Sequence, residues 1–176
     1  GDGSISNCSF VDCRSKYYFG GAVCFYEDGS INNCSFVDCS SVGDCGGAVC
    51  FYEEGTAVNC SFVKCNAYSE GGVIYFNNDG GSVVNCTFVD CSSNYYGGAV
   101  RMYEGSVINC SFLNCSAISE DGGAVYMYGG SVVNCSFVGC SAGDDAGAVY
   151  FDGDGFIVNC SFVGCSAGDD AGAVYF

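Results

Sequence analysis

Apolar residues recur along the chain in short alternating runs, and no run keeps the spacing of three and four that a helix requires. Val, Ile, Phe and Tyr dominate these runs, which suits strands, and Gly, Asn or Asp separates them. Three such segments fill each stretch of about 25 residues before the pattern begins again.

The period is explicit. Asn-Cys-Ser/Thr-Phe occurs seven times, with Cys at 8, 34, 60, 86, 110, 135 and 160, at intervals of 26, 26, 26, 24, 25 and 25 residues. Residues 133–151 and 158–176 are letter-for-letter copies. Repeats of this length, with several short strands and no helix, predict an all-β parallel β-helix, a β-solenoid. The expected organisation is one domain over 1–176. It has seven rungs, 1–27, 28–53, 54–78, 79–103, 104–128, 129–153 and 154–176, each with three short strands.

Comparing rungs column by column assigns faces. Ile5 is matched by Ile31, Ala57, Val83, Val107, Val132 and Ile157, always apolar and hence inward. Two residues later every rung has Asn. Strict alternation through it would turn Cys8 and Phe10 outward, exposing seven phenylalanines. A corner at Asn, which tolerates the left-handed conformation, turns both inward. A second corner falls at the column Asp12, Asp38, Lys64, Asp90, Asn114, Gly139 and Gly164, after which Cys13 and its equivalents point in. In the last segment Val23 and Phe25 point in. Between them runs the column Cys24, Cys50, Tyr75, Arg101, Tyr126, Tyr150 and Tyr175, which Arg101 marks as facing solvent.

Composition narrows the partners. Four Lys and Arg against 20 Asp and Glu give a net charge of −16, which argues against nucleic acid and anionic membranes. No apolar run approaches the ~20 residues of a membrane helix. Acidic chains are often disordered, but 49% hydrophobic and 15% aromatic residues suffice for a core.

Gly-Gly-Ala-Val at 20–23, 46–49, 97–100 and 122–125 resembles the GGA[ILV] motif of chlamydial polymorphic outer-membrane proteins. Phe-Val-Asp-Cys at 10–13 and its equivalents resembles their FxxN motif, with Cys in place of Asn. Adhesin-like surface proteins of methanogenic archaea carry similar units. The resemblance covers all seven repeats. It implies a right-handed β-helix at the cell surface, used for adhesion or as a stalk, and it implies no catalytic residue. Gly71-Gly72-Val73-Ile74 departs from the motif at Ala, and Ala146-Gly147 and Ala171-Gly172 depart at the first Gly.

Seventeen cysteines would ordinarily signal a secreted disulfide scaffold, and the odd number leaves at least one unpaired within the chain. Fourteen fall in two inward files, where buried thiols acting as small hydrophobes are the simplest reading. Parallel Cβ vectors disfavour vertical disulfides, and the Cys-x4-Cys spacing without His disfavours zinc. Cys24 and Cys50 are neighbours in the outward column and are the disulfide candidate; Cys45 is left over.

Each corner Asn begins a glycosylation sequon: Asn7, Asn33, Asn59, Asn85, Asn109, Asn134 and Asn159, with Asn114 as an eighth. A stacked asparagine ladder explains the Asn but not the Ser or Thr two places on, whereas duplication of one unit explains both. No cofactor is expected, and covalent N-glycans on these asparagines stand as the candidate addition beside the purely structural reading.

The acidic-Gly turns at Asp28, Glu54, Asp79, Glu104 and Asp154, and the pairs Asp144-Asp145 and Asp169-Asp170, read as solvated turns. They lack the Asp-x-Asp-x-Asp-Gly spacing of a calcium loop. The tyrosine column reads as cross-strand stabilisation ahead of a sugar-stacking face. Enzymatic activity is not expected: fold alone does not license it, the acidic residues recur in turns, and no repeat carries a distinctive polar insertion.

Solenoids need polar caps, and Gly1-Asp2-Gly3 and Phe176 supply none. The expectation is a longer parent chain or head-to-tail self-assembly. The function predicted is an extracellular or cell-surface structural rod, with a glycan- or receptor-binding adhesin as the alternative.

Overall fold

The computed structural model describes residues 2–78 and 80–176. Gly1 of the first turn and Asp79 of the acidic turns lie outside the described residues. The chain is all-β and winds through seven turns, and every ladder is parallel and in register. Like pairs with like: Ile5 with Ile31, Phe62 with Phe88, Ser136 with Ser161.

Three sheets correspond to the three apolar segments. The first runs from Gly3–Ser6 to Gly155–Val158, the second from Ser9–Val11 to Ser161–Val163, and the third from Val23–Phe25 to Val174–Tyr175. A fourth stack, six two-residue strands from Arg14–Ser15 to Ser141–Ala142, was not anticipated. Its inward column of Ser and Ala ties down the following loop. Ser15 Oγ donates to Tyr18 O at 2.7 Å, Ser41 Oγ to Tyr18 O at 2.9 Å and Ser93 Oγ to Tyr96 O at 3.2 Å.

Both corners lie where the columns placed them. The seven Asn from Asn7 to Asn159 have φ between 50° and 54°. Asp12, Asp38, Lys64, Asp90 and Asn114 are left-handed too, followed by Gly139 and Gly164. The inward files behave as expected of a one-dimensional core. Phe10, Phe36, Phe62, Phe88, Phe112, Phe137 and Phe162 stack with centroids 4.7–5.0 Å apart and planes within 12°.

The Gly-Gly pair has two separate causes. Gly122 is left-handed at φ 67°, and a Cβ there would lie 2.5 Å from Val125 O. At Gly123 a Cβ would lie 2.2 Å from Gly147 O of the next rung. The first glycine permits the turn, and the second permits backbone from two rungs to touch.

One face assignment needs correction. The column expected to face solvent points out of the barrel but is covered: Cys50 is 0%, Arg101 5% and Tyr126 6% exposed. The loop before the third sheet folds back over it, and the tyrosines that follow the sheet flank it. Phe19 packs edge-on to Tyr52 at 5.2 Å, and Tyr96 lies 4.8 Å from Tyr126. Alternation separates the two faces of a sheet; it does not say what lies over the outer face.

Candidate functional site

The seven corner asparagines form one exposed edge running the length of the stack. The corner bends the chain so that Asn projects from the turn while the next residue, Cys, enters the core. The sequon Ser or Thr then heads the second sheet on its outer face; Ser35 Oγ donates to Ser9 Oγ at 3.0 Å. Asn85 Nδ2 donates to Asn59 Oδ1 at 3.1 Å, one rung of an amide ladder. Asn114 is exposed as well, but on the other corner, where its Nδ2 donates to Asp90 Oδ1 at 3.1 Å. The structure thus brings seven of the eight candidates to one edge and leaves the eighth apart.

All 17 cysteines are free thiols. The two inward files are buried from Cys34 to Cys135 and from Cys39 to Cys140. In the first file the sulfurs of Cys60, Cys86, Cys110, Cys135 and Cys160 each accept a backbone N–H from the cysteine one rung earlier. Cys34 N donates to Cys60 Sγ at 3.5 Å, Cys86 N to Cys110 Sγ at 3.4 Å and Cys135 N to Cys160 Sγ at 3.3 Å. The thiols of both files also face carbonyls: Cys86 Sγ donates to Ala57 O at 3.5 Å and Val84 O at 3.3 Å, and Cys91 Sγ to Phe62 O at 3.8 Å and Val89 O at 3.4 Å.

Cys24 and Cys50 are ladder partners, and Cys45 joins them in a small apolar cluster outside the barrel, with Phe19, Tyr52 and Tyr75. The Cys50 thiol, facing Cys24, lowers the Cys24 pKa, while Cys50 is raised by that same contact and by burial. Burial pushes Cys45 up to about 12.

One rung does break the repeat. Arg101 replaces tyrosine, and its guanidinium lies 4.1 Å from the Tyr103 ring centre, 5.1 Å from Tyr75 and 5.4 Å from Tyr128. Its Nη1 reaches Phe76 O at 3.5 Å and its Nε approaches Glu70. Residue-by-residue alternation missed this cluster. The signal available was the pairing of the one basic residue in a tyrosine column with Glu70 in the covering loop.

The acidic ladder lies elsewhere. Asp121 Oδ1 accepts from Asp145 N at 3.0 Å, and Asp145 Oδ1 accepts from Asp170 N at 2.7 Å. Burial raises the Asp121 pKa, and a hydrogen bond with Asp169 raises that of Asp144. Among the described residues no three His, Cys, Asp or Glu side chains converge as a metal ion would require. None of them forms a helix long and apolar enough to cross a membrane. No protein-family model, curated protein or solved structure matches the chain.

Proposed function

We propose that the chain is a non-catalytic structural rod of the cell surface or extracellular space, with N-glycans along its asparagine edge. The observation that carries this reading is the unbroken like-on-like register through seven turns, joined to a file of exposed sequons on one edge. Such a stack lengthens by adding rungs without changing its cross-section. Wherever a parallel stack stops it presents a strand edge, and a second copy joining there would extend the rod head to tail.

Expression through a glycosylating secretory pathway, followed by intact mass and electron imaging, tests the proposal. The expected outcome is a mass above the 18.2 kDa polypeptide and narrow rods of uniform width. A bare mass together with compact single particles overturns it.

A second reading, an adhesin that binds glycans or a receptor, is favoured by exposed aromatics outside the barrel. Tyr17, Tyr18 and Tyr26 are 66%, 71% and 69% exposed. A glycan array separates the two, since an inert rod binds nothing on it.

A further inference from the structure

The chain has 20 Asp and Glu, yet among the described residues none lines the groove that runs over the fourth stack. Three of the four cations stand there instead. Arg14 and Lys16 line the groove, and Lys64 is two residues ahead of Asn66, which lines it too. All three are exposed and have no ion-pair partner among the described residues, whereas Arg101, the fourth, is buried beside Glu70. Asp12, Asp38 and Asp90 share the corner column with Lys64, so the rim is acidic while the floor is positive.

Two files lie side by side in this groove. The outward residues Ser40, Asn66 and Ser92 are ladder partners and offer a hydroxyl or an amide on each rung. Two residues further on, Val42, Tyr68 and Ile118 are 39%, 55% and 60% exposed and offer apolar surface. A sugar ring is amphipathic in the same way, with hydroxyls round its rim and C–H groups on its faces, and the electron-rich face of a tyrosine suits those C–H groups. Pitch favours a sugar chain over a peptide. Rungs repeat at ~4.8 Å, whereas side chains on one face of an extended peptide recur at about 6.6–6.8 Å, so a peptide along the groove falls out of step by about 2 Å per rung. The pyranose units of an extended polysaccharide advance by close to one rung each and stay in step.

We propose that this groove binds an extended acidic polysaccharide along the axis of the stack, one sugar per rung between Arg14 and Ile118. Uronate carboxylates meet Arg14 and Lys16, where a guanidinium can hold a carboxylate through two hydrogen bonds. A ring face lies on Tyr68, and sugar hydroxyls bond to Asn66 and its serine neighbours. At physiological ionic strength the Debye length is about 8 Å, so carboxylates on the other faces are largely screened while the groove cations act at contact. The inference rests on the adhesin reading, the second of the two above, and gives it a face and a ligand class.

The test is binding of the full chain to immobilised polygalacturonate, alginate and hyaluronate, with dextran as the uncharged polymer, at physiological ionic strength. At least one uronate polymer is expected to bind more tightly than dextran. Arg14→Gln with Lys16→Gln is expected to weaken that binding about tenfold and to abolish the preference over dextran. Asn66→Ala with Tyr68→Ala is expected to weaken binding to both classes of polymer. All four side chains are exposed, so these variants leave the core intact. Tyr26→Ala, on a different edge, is expected to change nothing. Dextran bound as tightly as every uronate polymer overturns the acidic assignment. Uronate binding that survives both groove variants, or is lost with Tyr26→Ala, overturns the groove while glycan binding stands. Failure of all four polymers to bind overturns the inference and removes glycan binding from the adhesin reading.

Discussion

Arg101 Nε lies 3.1 Å from Glu70 Oε2, joining the outer column of the third sheet to the loop that covers it. The N–H does not point along this contact, so the pair is held by charge and not by a hydrogen bond. The Glu70 side chain is 25% exposed and that of Arg101 6%. Removing the arginine leaves a largely buried carboxylate without its cation. Arg101→Met is expected to destabilise by about 2–3 kcal/mol, below the range for fully buried pairs because water still reaches Glu70. Adding Glu70→Gln is expected to recover most of that loss. Denaturant midpoints of the two single variants and the double variant close the cycle, and additive effects would show that the pair is not coupled.

Left-handed positions held by unsuited residues predict gains. Ala146 has φ 56° at the position where the five preceding rungs have glycine, and Lys64 has φ 55° where the other rungs have Asp, Asn or Gly. Ala146→Gly and Lys64→Asn are each expected to stabilise by about 0.5–1 kcal/mol. Gly122→Ala is expected to destabilise, its Cβ meeting Val125 O. Thermal midpoints check all three.

The acidic ladder sets the pH dependence. The Asp121 and Asp144 carboxyls, ordinarily near 3.8, are raised in the folded chain, and Glu70 is raised by burial against the opposing pull of Arg101. A raised folded-state pKa means that the folded chain binds the proton more tightly than the unfolded one. The resulting stability is fully present below the unfolded value and is lost as pH rises through the folded one. Melting temperature is expected to rise as pH falls from 7 toward about 4, and relief of the −16 net charge acts in the same direction. Asp121→Asn with Asp144→Asn is expected to flatten the curve. A melting temperature that falls over this interval would refute the assignment.

Cys24 is half-buried, faces Cys50 across one ladder step and has its thiol pKa lowered by that neighbour. Oxidised glutathione at neutral pH is expected to join Cys24 to Cys50 while the buried file thiols stay reduced. Peptide mapping checks this. Recovery of a Cys45–Cys50 link, or of unlinked Cys24 and Cys50, contradicts it.

Much of the fold was legible because seven copies of each position stand in the sequence. Asn7 and its equivalents read as corners once Cys8 and Phe10 both had to be inside. The two-residue strands such as Arg14–Ser15 were illegible, since alternation needs more residues than they have. The burial of Tyr75 and Arg101 was illegible for another reason: period-two patterning distinguishes sides of a sheet, and cover comes from a loop with no pattern of its own. The sequons were visible at once; that seven share an edge and Asn114 does not required the corners.

The hydrogen bonds between rungs, Asn59 N to Val84 O or Ser61 N to Cys34 O, run along the axis of the stack. Tension applied at a chain end therefore opens them one rung at a time instead of shearing many together. A released rung of about 25 residues pays out about 80–90 Å of extended chain, against the ~4.8 Å it occupied. Under load the rod would lengthen by many times its resting step at each yield point, and the rungs still wound would keep their cores intact, so it would act as a tether that absorbs strain in discrete steps.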